Sequence, residues 1–257
     1  MPAGEVVRVV EREAQVFRRL WRGSVFSSVL TPVLFLGAIG IGLGGLVDEA
    51  SSDVAGLSYL VFVTPGLLAA GAMQSAAGES LWPVMAGHKW MRTYHAMVAS
   101  PIRALDVYVG ELAWTAVRTT IGAVAFLAVA AALGGVPSWW GLLAVPAAVL
   151  CACAFAAPLS AFAATQQTDV SFSVIMRLGI VPLFLFSGTF FPVTQLPAGL
   201  QPLAVASPLW HGVELCRMAT TGTLSGARAV GHVAVLVAVV AAATWWGVRT
   251  FRRRLAE

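Results

Sequence analysis

VYVGELAWTAVRTTIGAVAFLAVAAALGGVPSWWGLLAVPAAVLCACAFAAPLSAFA, residues 107–163, decides the fold class. Two apolar runs lie within it, 107–133 and 139–163, separated by a short connection containing Gly134, Gly135 and Pro137. A helix needs about 20 apolar residues to cross a hydrocarbon core, and each run exceeds that. Trp139 and Trp140 open the second run as an aromatic anchor of the kind found at membrane interfaces. The pair reads as two membrane helices joined by a tight turn, and predicts an all-α polytopic membrane protein. The first helix carries Glu111 and Arg118, seven residues apart and therefore on one face two turns from each other.

The same pattern recurs on both sides of this pair. Residues 24–47 carry no charge, and Gly40 and Gly44 in their second half have the small-xxx-small spacing that permits close helix approach. The acidic residues Asp48, Glu49 and Asp53 follow, then an apolar run over 57–77 that contains Pro65. Beyond the pair, 172–191, with Arg177 near its start, and 229–248 complete six spans within one transmembrane domain, 1–257. Ahead of the first span, residues 5–22 place Val6, Val9, Val10, Val16, Phe17, Leu20 and Trp21 on one side of a helical wheel. Arg8, Glu11, Arg12, Arg18, Arg19 and Arg22 lie opposite, with Glu13 the exception. A helix of this kind lies in the membrane interface before the chain turns into the bilayer.

Composition agrees with a lipid solvent. Of 257 residues 58% are apolar and 11% charged, and the mean hydropathy is +0.82, too little polar surface to coat a soluble globule. The formal charge of +4 rests on fifteen Arg and one Lys placed mostly at span ends, which reads as topology and headgroup contact and not as nucleic-acid binding. Thirteen of those sixteen fall on one side: Arg8 to Arg22, then Lys89, Arg92, Arg103, Arg177, and Arg249 to Arg254. The positive-inside rule places both termini in the cytoplasm. Cys151, Cys153 and Cys216 have no metal-site spacing and read as small packing residues.

Several chemistries are excluded by what the sequence lacks. A nucleotide-hydrolysing chain needs a glycine-rich loop ending in Gly-Lys-Ser/Thr, whereas the single lysine sits in His88-Lys89-Trp90. HExxH and GxSxG are also absent, and His88, His95, His211 and His232 are dispersed. Catalytic, metal and cofactor residues are therefore assigned to none. Two connections remain informative. The first, 79–106, holds a short helix expected to run to about Ser100 and break at Pro101; with Arg92 and Arg103 beside it, it is a candidate for docking a soluble partner or an ordinary interfacial helix. The second, 192–228, is too apolar for a free loop and too broken by Pro192, Pro197, Pro202 and Pro208 for one span, so it reads as short helices dipping into the membrane edge. Within it His211, Glu214 and Arg217 follow at i, i+3 intervals and form one face that answers its own charge.

Six spans, the leading amphipathic helix, the joint SPIRALDVYVGEL and above all FSGTFFPVTQLPAGLQPLAVASPLWHGVEL resemble the permease subunit of type-2 ABC exporters, in the subgroup of the nodulation-factor and daunorubicin-resistance permeases. The resemblance covers essentially the whole chain and is most specific over 186–214. It implies a half-transporter that pairs with itself or a sister permease and binds two copies of an ATP-hydrolysing subunit, which carries the ATP and Mg. It implies coupling to that subunit through Arg92, Tyr94, His95, Ser100 and Arg103. It also implies an outer gate with Phe191, Pro192, Pro197, Pro208, His211 and Glu214, and export of a lipid-linked saccharide, glycolipid or amphiphilic drug. Two readings from other classes stand beside it. One is a membrane enzyme acting on lipid-linked substrates with Glu111, Arg118 or Arg177 as buried polar groups; the other is a passive channel or scaffold.

Overall fold

The computed structural model describes residues 3–43 and 56–256, and helices make up its architecture. The expected acidic residues Asp48, Glu49 and Asp53, and Gly44 of the small-residue pair, lie outside the described residues. α1 (Ala3–Phe35) runs on into a π-helical segment, Leu36–Leu43. The turn expected between an interfacial helix ending at residue 22 and a span starting at residue 24 is not formed. Gly23 is the one glycine at that junction, and its cost of about 1 kcal/mol relative to alanine is too small by itself to end the helix. The amphipathic half of α1 packs along the helix Ala104–Ala132: Val9 is buried against Gly110, where an added Cβ would lie 2.6 Å from the Val9 side chain.

α2 (Tyr59–Met85) continues through a π-turn, Ala86–Trp90, so this span runs to residue 90 and not to 77. The polar residues that mark an exit in the sequence are accommodated inside the bundle. Glu79 pairs with Arg118 of α4 (Ala104–Ala132) at 3.0 Å, and Ser80 is buried. A charge answered within the protein does not have to leave the membrane. α3 (Thr93–Val98) is the short helix of this connection. The decisive stretch folds as read: α4 ends in a turn at Gly134 (φ 83°), and Ser138 caps the 3₁₀ turn Trp139–Leu143 that leads into α5 (Ala144–Ala163).

Between α5 and the far-end segment the chain forms α6 (Val170–Val174), a π-turn Ile175–Ile180 and α7 (Val181–Phe186). This apolar helix stops at Phe186, five residues short of the expected 191, because Gly188 turns (φ 79°) and the Thr189 backbone is pressed onto Gly66 of α2. A Cβ on Gly66 would lie 2.6 Å from the Thr189 carbonyl oxygen. A 3₁₀ turn Val193–Gln195, α8 (Gln201–Ala206) and α9 (Pro208–Thr221) follow. Ser207 opens α9 by accepting from the Leu209 amide at 3.1 Å, Pro208 supplies its first turn, and Gly222 (φ 75°) ends it. α10 (Gly226–Ala256) outlasts the expected 229–248 because its arginines remain helical.

α2 is the central helix, with 72% of its apolar window buried, whereas α10 at 11% lies on the periphery. The largest cluster joins Leu67 and Met73 of α2, Phe126 of α4, Ala148 and Phe155 of α5, and Leu209 and Val213 of α9. α2, α4, α5 and α10 are each long and apolar enough to cross a membrane, and the run 170–186 is a shorter apolar helix.

Candidate functional site

Two ends of the bundle hold the residues singled out by sequence. At the basic end, Arg92 adopts a left-handed conformation (φ 50°), the only non-glycine residue to do so among those described. That geometry costs roughly 1–2 kcal/mol and reverses the chain from the π-turn of α2 into α3. α3 is then fastened by one side chain. Tyr94, 3% exposed, packs on Gly87, meets the His88 ring edge-on at 4.9 Å and lies 5.9 Å from Phe251 of α10. A Cβ at Gly87 would come within 2.5 Å of the Tyr94 ring. Burial, followed by the adjoining Glu111 carboxylate, pushes the Tyr94 phenol well above its ordinary range, so it stays a neutral donor.

The five coupling candidates therefore divide. Arg92, Ser100 and Arg103 are exposed; Ser100 donates its hydroxyl to the Met97 carbonyl at 2.6 Å, and Arg103 donates to Asp106 at 2.8 and 2.9 Å, fixing the start of α4. Tyr94 faces inward, and His95 is half-buried beside His88. The outward surface is completed by Trp90 and by Met91, Ala96 and Ala99, the last three passed over by sequence reasoning. Their signal was available as helical spacing: 92, 96 and 99 share one face opposite Tyr94. Lys89 donates to the Gln167 carbonyl at 2.5 Å and Arg254 to the Gln167 side chain at 3.1 Å, tying the joint after α5 to this same end.

The buried polar candidates also divide. Arg118 is bound to Glu79, with its guanidinium 5.6 Å from the Phe17 ring centre, and Glu111 lies beside Tyr94. Arg177 is not buried: Phe172 and Ile180 occupy the inward face of its segment, and Arg177 is exposed with Val174, Leu178 and Val181. Among the described residues no three His, Cys, Asp or Glu side chains gather to hold a metal ion.

At the far end, α9 runs antiparallel to α5. The Ser138 amide donates to the Thr220 carbonyl at 3.2 Å, Cys216 Sγ lies 3.7 Å from the Ala144 carbonyl, and Gly212 sits against Cys151. Cys151 is about 20 Å along the span from Trp139 by helical rise, so the start of α9 reaches the middle of the bundle. Arg217 pairs with Glu214 at 2.5 Å, donates to the Gly188 carbonyl at 2.7 Å and lies 4.3 Å from the Phe62 ring centre. His211 does not join that face. Its Nδ1 lies 2.8 Å from Nδ1 of His232 on α10, flanked by Trp210. Pro208 starts α9, Phe191 and Pro192 are half-buried, and Pro197 is exposed.

Comparison with known proteins covers most of the chain. Residues 5–220, from α1 through α9, match the family model described as ABC-2 type transporter. Nodulation protein J of Rhizobium leguminosarum bv. viciae is 30% identical over 258 residues, covering 99% of this chain and 97% of that protein. Nodulation protein J of Sinorhizobium fredii is 30% identical over 250 residues, 97% of this chain and 93% of that one. The inner membrane transport permease YadH of Escherichia coli is 25% identical over 209 residues, 79% of this chain and 77% of that one.

Proposed function

We propose that this chain, which belongs to the ABC-2 type transporter family, moves an amphiphilic substrate out of the cytoplasm with ATP hydrolysed by a separate subunit. It is a membrane subunit of a transporter, and the sequence contains no phosphate-binding loop of its own. The observation that carries the reading is the knob at the basic end. Trp90, Met91 and Arg92, which lead into the short helix α3, and Ala96 on it are presented to solvent, while the buried Tyr94 roots that helix in α2, α4 and α10. A surface anchored in this way passes a push from a soluble partner into the spans without bending in between.

On this reading two ATP-hydrolysing subunits, with their ATP and Mg, dock on a pair of permeases, identical or sister chains, in a bacterial inner membrane. Both termini are cytoplasmic, α1 passes into the first of six spans, and the outer re-entrant region 192–228 holds the gate over 192–214. The substrate is a lipid-linked saccharide, a glycolipid or a drug of similar amphiphilicity. The enzyme reading has less support, because Arg118 is already paired and Arg177 faces outward.

Co-expression of the tagged chain with ATPase genes from its own locus tests the proposal. An ATPase should co-purify, and Arg92→Glu together with Ala96→Trp should abolish both that association and export. If no ATPase is retained by the unaltered chain, or if the double variant exports normally, the reading fails.

A further inference from the structure

His211 of α9 and His232 of α10 meet nitrogen to nitrogen, with their Nδ1 atoms 2.8 Å apart. The ring centres are 5.0 Å apart, and Trp210 packs edge-on against both rings at 5.0 Å each. At that separation one Nδ1–H donates to the lone pair of the other Nδ1. The bond ties the first turn of α9 directly to α10. Farther along, the same helices meet through Leu215, Met218 and Leu236.

The number of protons on the pair decides whether the bond can exist. A first added proton enters at Nε2 of the donating ring; its Nδ1–H still points at a neutral acceptor, and the charge strengthens the bond. A second proton can go only to the accepting Nδ1. Both rings then carry a hydrogen at Nδ1, no lone pair remains between them, and two positive charges face each other at contact distance.

The surroundings do not cancel that repulsion. The charged side chains acting on His232 are Glu214 and Arg228; Glu214 is already held by Arg217, and Arg228 opposes a second positive charge. Of the elements packed on α9, α5 carries the thiols of Cys151 and Cys153, residues 59–78 of α2 carry the Tyr59 phenol, and α8 and the turn Trp139–Leu143 have no titratable group. Thiols and phenols are neutral in acid. α3 and α4 meet α10 near Phe251 and Gly247, at its other end. Both imidazoles are half-buried, and His232 stands about 9 Å along α10 from the exposed Gly226, so protons arriving at that end reach the pair.

We propose that His211 and His232 form an acid-released clasp, which holds the first turn of α9 against α10 until both imidazoles are protonated. Opening takes up a proton, so acid favours it: below about pH 6.5, where a free imidazole binds its proton, each further unit of falling pH raises the ratio of open to closed about tenfold. The clasp is a property of the two helices and does not rest on the transport reading.

Nitrogen-15 NMR of labelled histidine in the full-length chain, in lipid nanodiscs, reads the bond and its protons. Spin labels on Leu203→Cys and Val233→Cys, both exposed positions, read the separation of the far-end segment from α10. At about pH 7.5 the two Nδ1 atoms should show a coupling across the hydrogen bond, and the labels a single distance. At about pH 5 the coupling should vanish, both rings should show imidazolium nitrogens, and a longer distance should grow in. His88→Gln and His95→Gln assign the spectrum by removing the other two histidines. His211→Phe and His232→Phe should each give a label distance that no longer depends on pH. A coupling that persists at about pH 5 overturns the proposal, as do two imidazolium rings with an unchanged label distance; the unaltered histidine pair decides both. A pH-dependent distance that survives in the double His211→Phe, His232→Phe variant also overturns it, and its loss on adding Glu214→Gln assigns the effect to the Glu214–Arg217 pair.

Discussion

Gly212→Ala tests how deep the far-end segment reaches. The added Cβ would lie 2.5 Å from Cys151 Sγ and 2.7 Å from Cys151 Cβ, so α9 and α5 must part by roughly 1 Å to restore ordinary contact near 3.5–4.0 Å. Overpacking of this kind costs about 1–3 kcal/mol, against about 1 kcal/mol gained from alanine's better helix propensity. The single variant therefore gives a small net loss, which alone decides little. A cycle with Cys151→Gly is decisive, because the propensity terms belong to each site separately and cancel. Removing the Cys151 side chain makes room for the new methyl, so the double variant should be more stable than the sum of the singles by about 1–3 kcal/mol. Titration with sodium dodecyl sulfate in mixed micelles, followed by circular dichroism, measures all four proteins. A coupling below about 0.5 kcal/mol refutes the seat of Gly212 on Cys151, and with it the mid-bundle position of α9.

Three further expectations can be checked in the same preparation. Glu79→Gln leaves the half-buried Arg118 without its partner and should cost about 1–2 kcal/mol, less than a fully buried pair because both side chains retain solvent contact; Glu79→Gln with Arg118→Gln should recover most of it, and no recovery would mean the two do not pair. Tyr94→Phe should cost about 1 kcal/mol through the lost contact with Glu111, whereas Tyr94→Ala should cost about 3–5 kcal/mol by opening a cavity and uncouple ATP hydrolysis from export; equal effects of the two would argue against the ring as the anchor. Gly247→Val places a side chain where Tyr108 stands, within 2.3 Å of its ring, and should lower the unfolding temperature sharply, while an unchanged temperature would contradict the close approach of α10 to α4.

The spans were legible wherever apolarity and turn residues coincide. Residues 139–163 are read to the residue because Ser138 caps their start and a polar joint ends them. Reading failed where a polar residue has its partner on another helix. Glu79 looks like an exit signal until Arg118 is known to face it, so α2 was read thirteen residues short of Trp90. The end of α7 was misplaced for a related reason: Phe190 and Phe191 are apolar enough to extend a span, and only the contact of Thr189 with Gly66 shows why the chain turns first. At the sites, His211 was grouped with Glu214 and Arg217 by local spacing, whereas its partner is His232, twenty-one residues away. The inward side of α3 was equally hidden, because spacing shows that Arg92 and Tyr94 lie on different faces but not which face the bundle takes.

α2 makes close contacts at both ends of the bundle. At the basic end, Leu81, Val84 and Met85 of α2 share a cluster with Tyr94, Tyr108 and Phe251, so the knob is packed directly on α2, α4 and α10. At the far end Gly66 bears on Thr189, Thr64 lies against Gly135, and Phe62 lies under Arg217. α2 therefore connects α3 to the far-end segment as a single helix with no loop between them; on the proposed coupling role, a displacement of α3 would reach that segment through it. Close packing transmits such a shift because the contacts have no slack to absorb it: Gly66, Gly87, Gly212 and Gly247 each lie where even one methyl group would clash. Glycine at these positions lets the helices approach closely enough to move as one body, which is why their substitution should disturb transport even where the protein still folds.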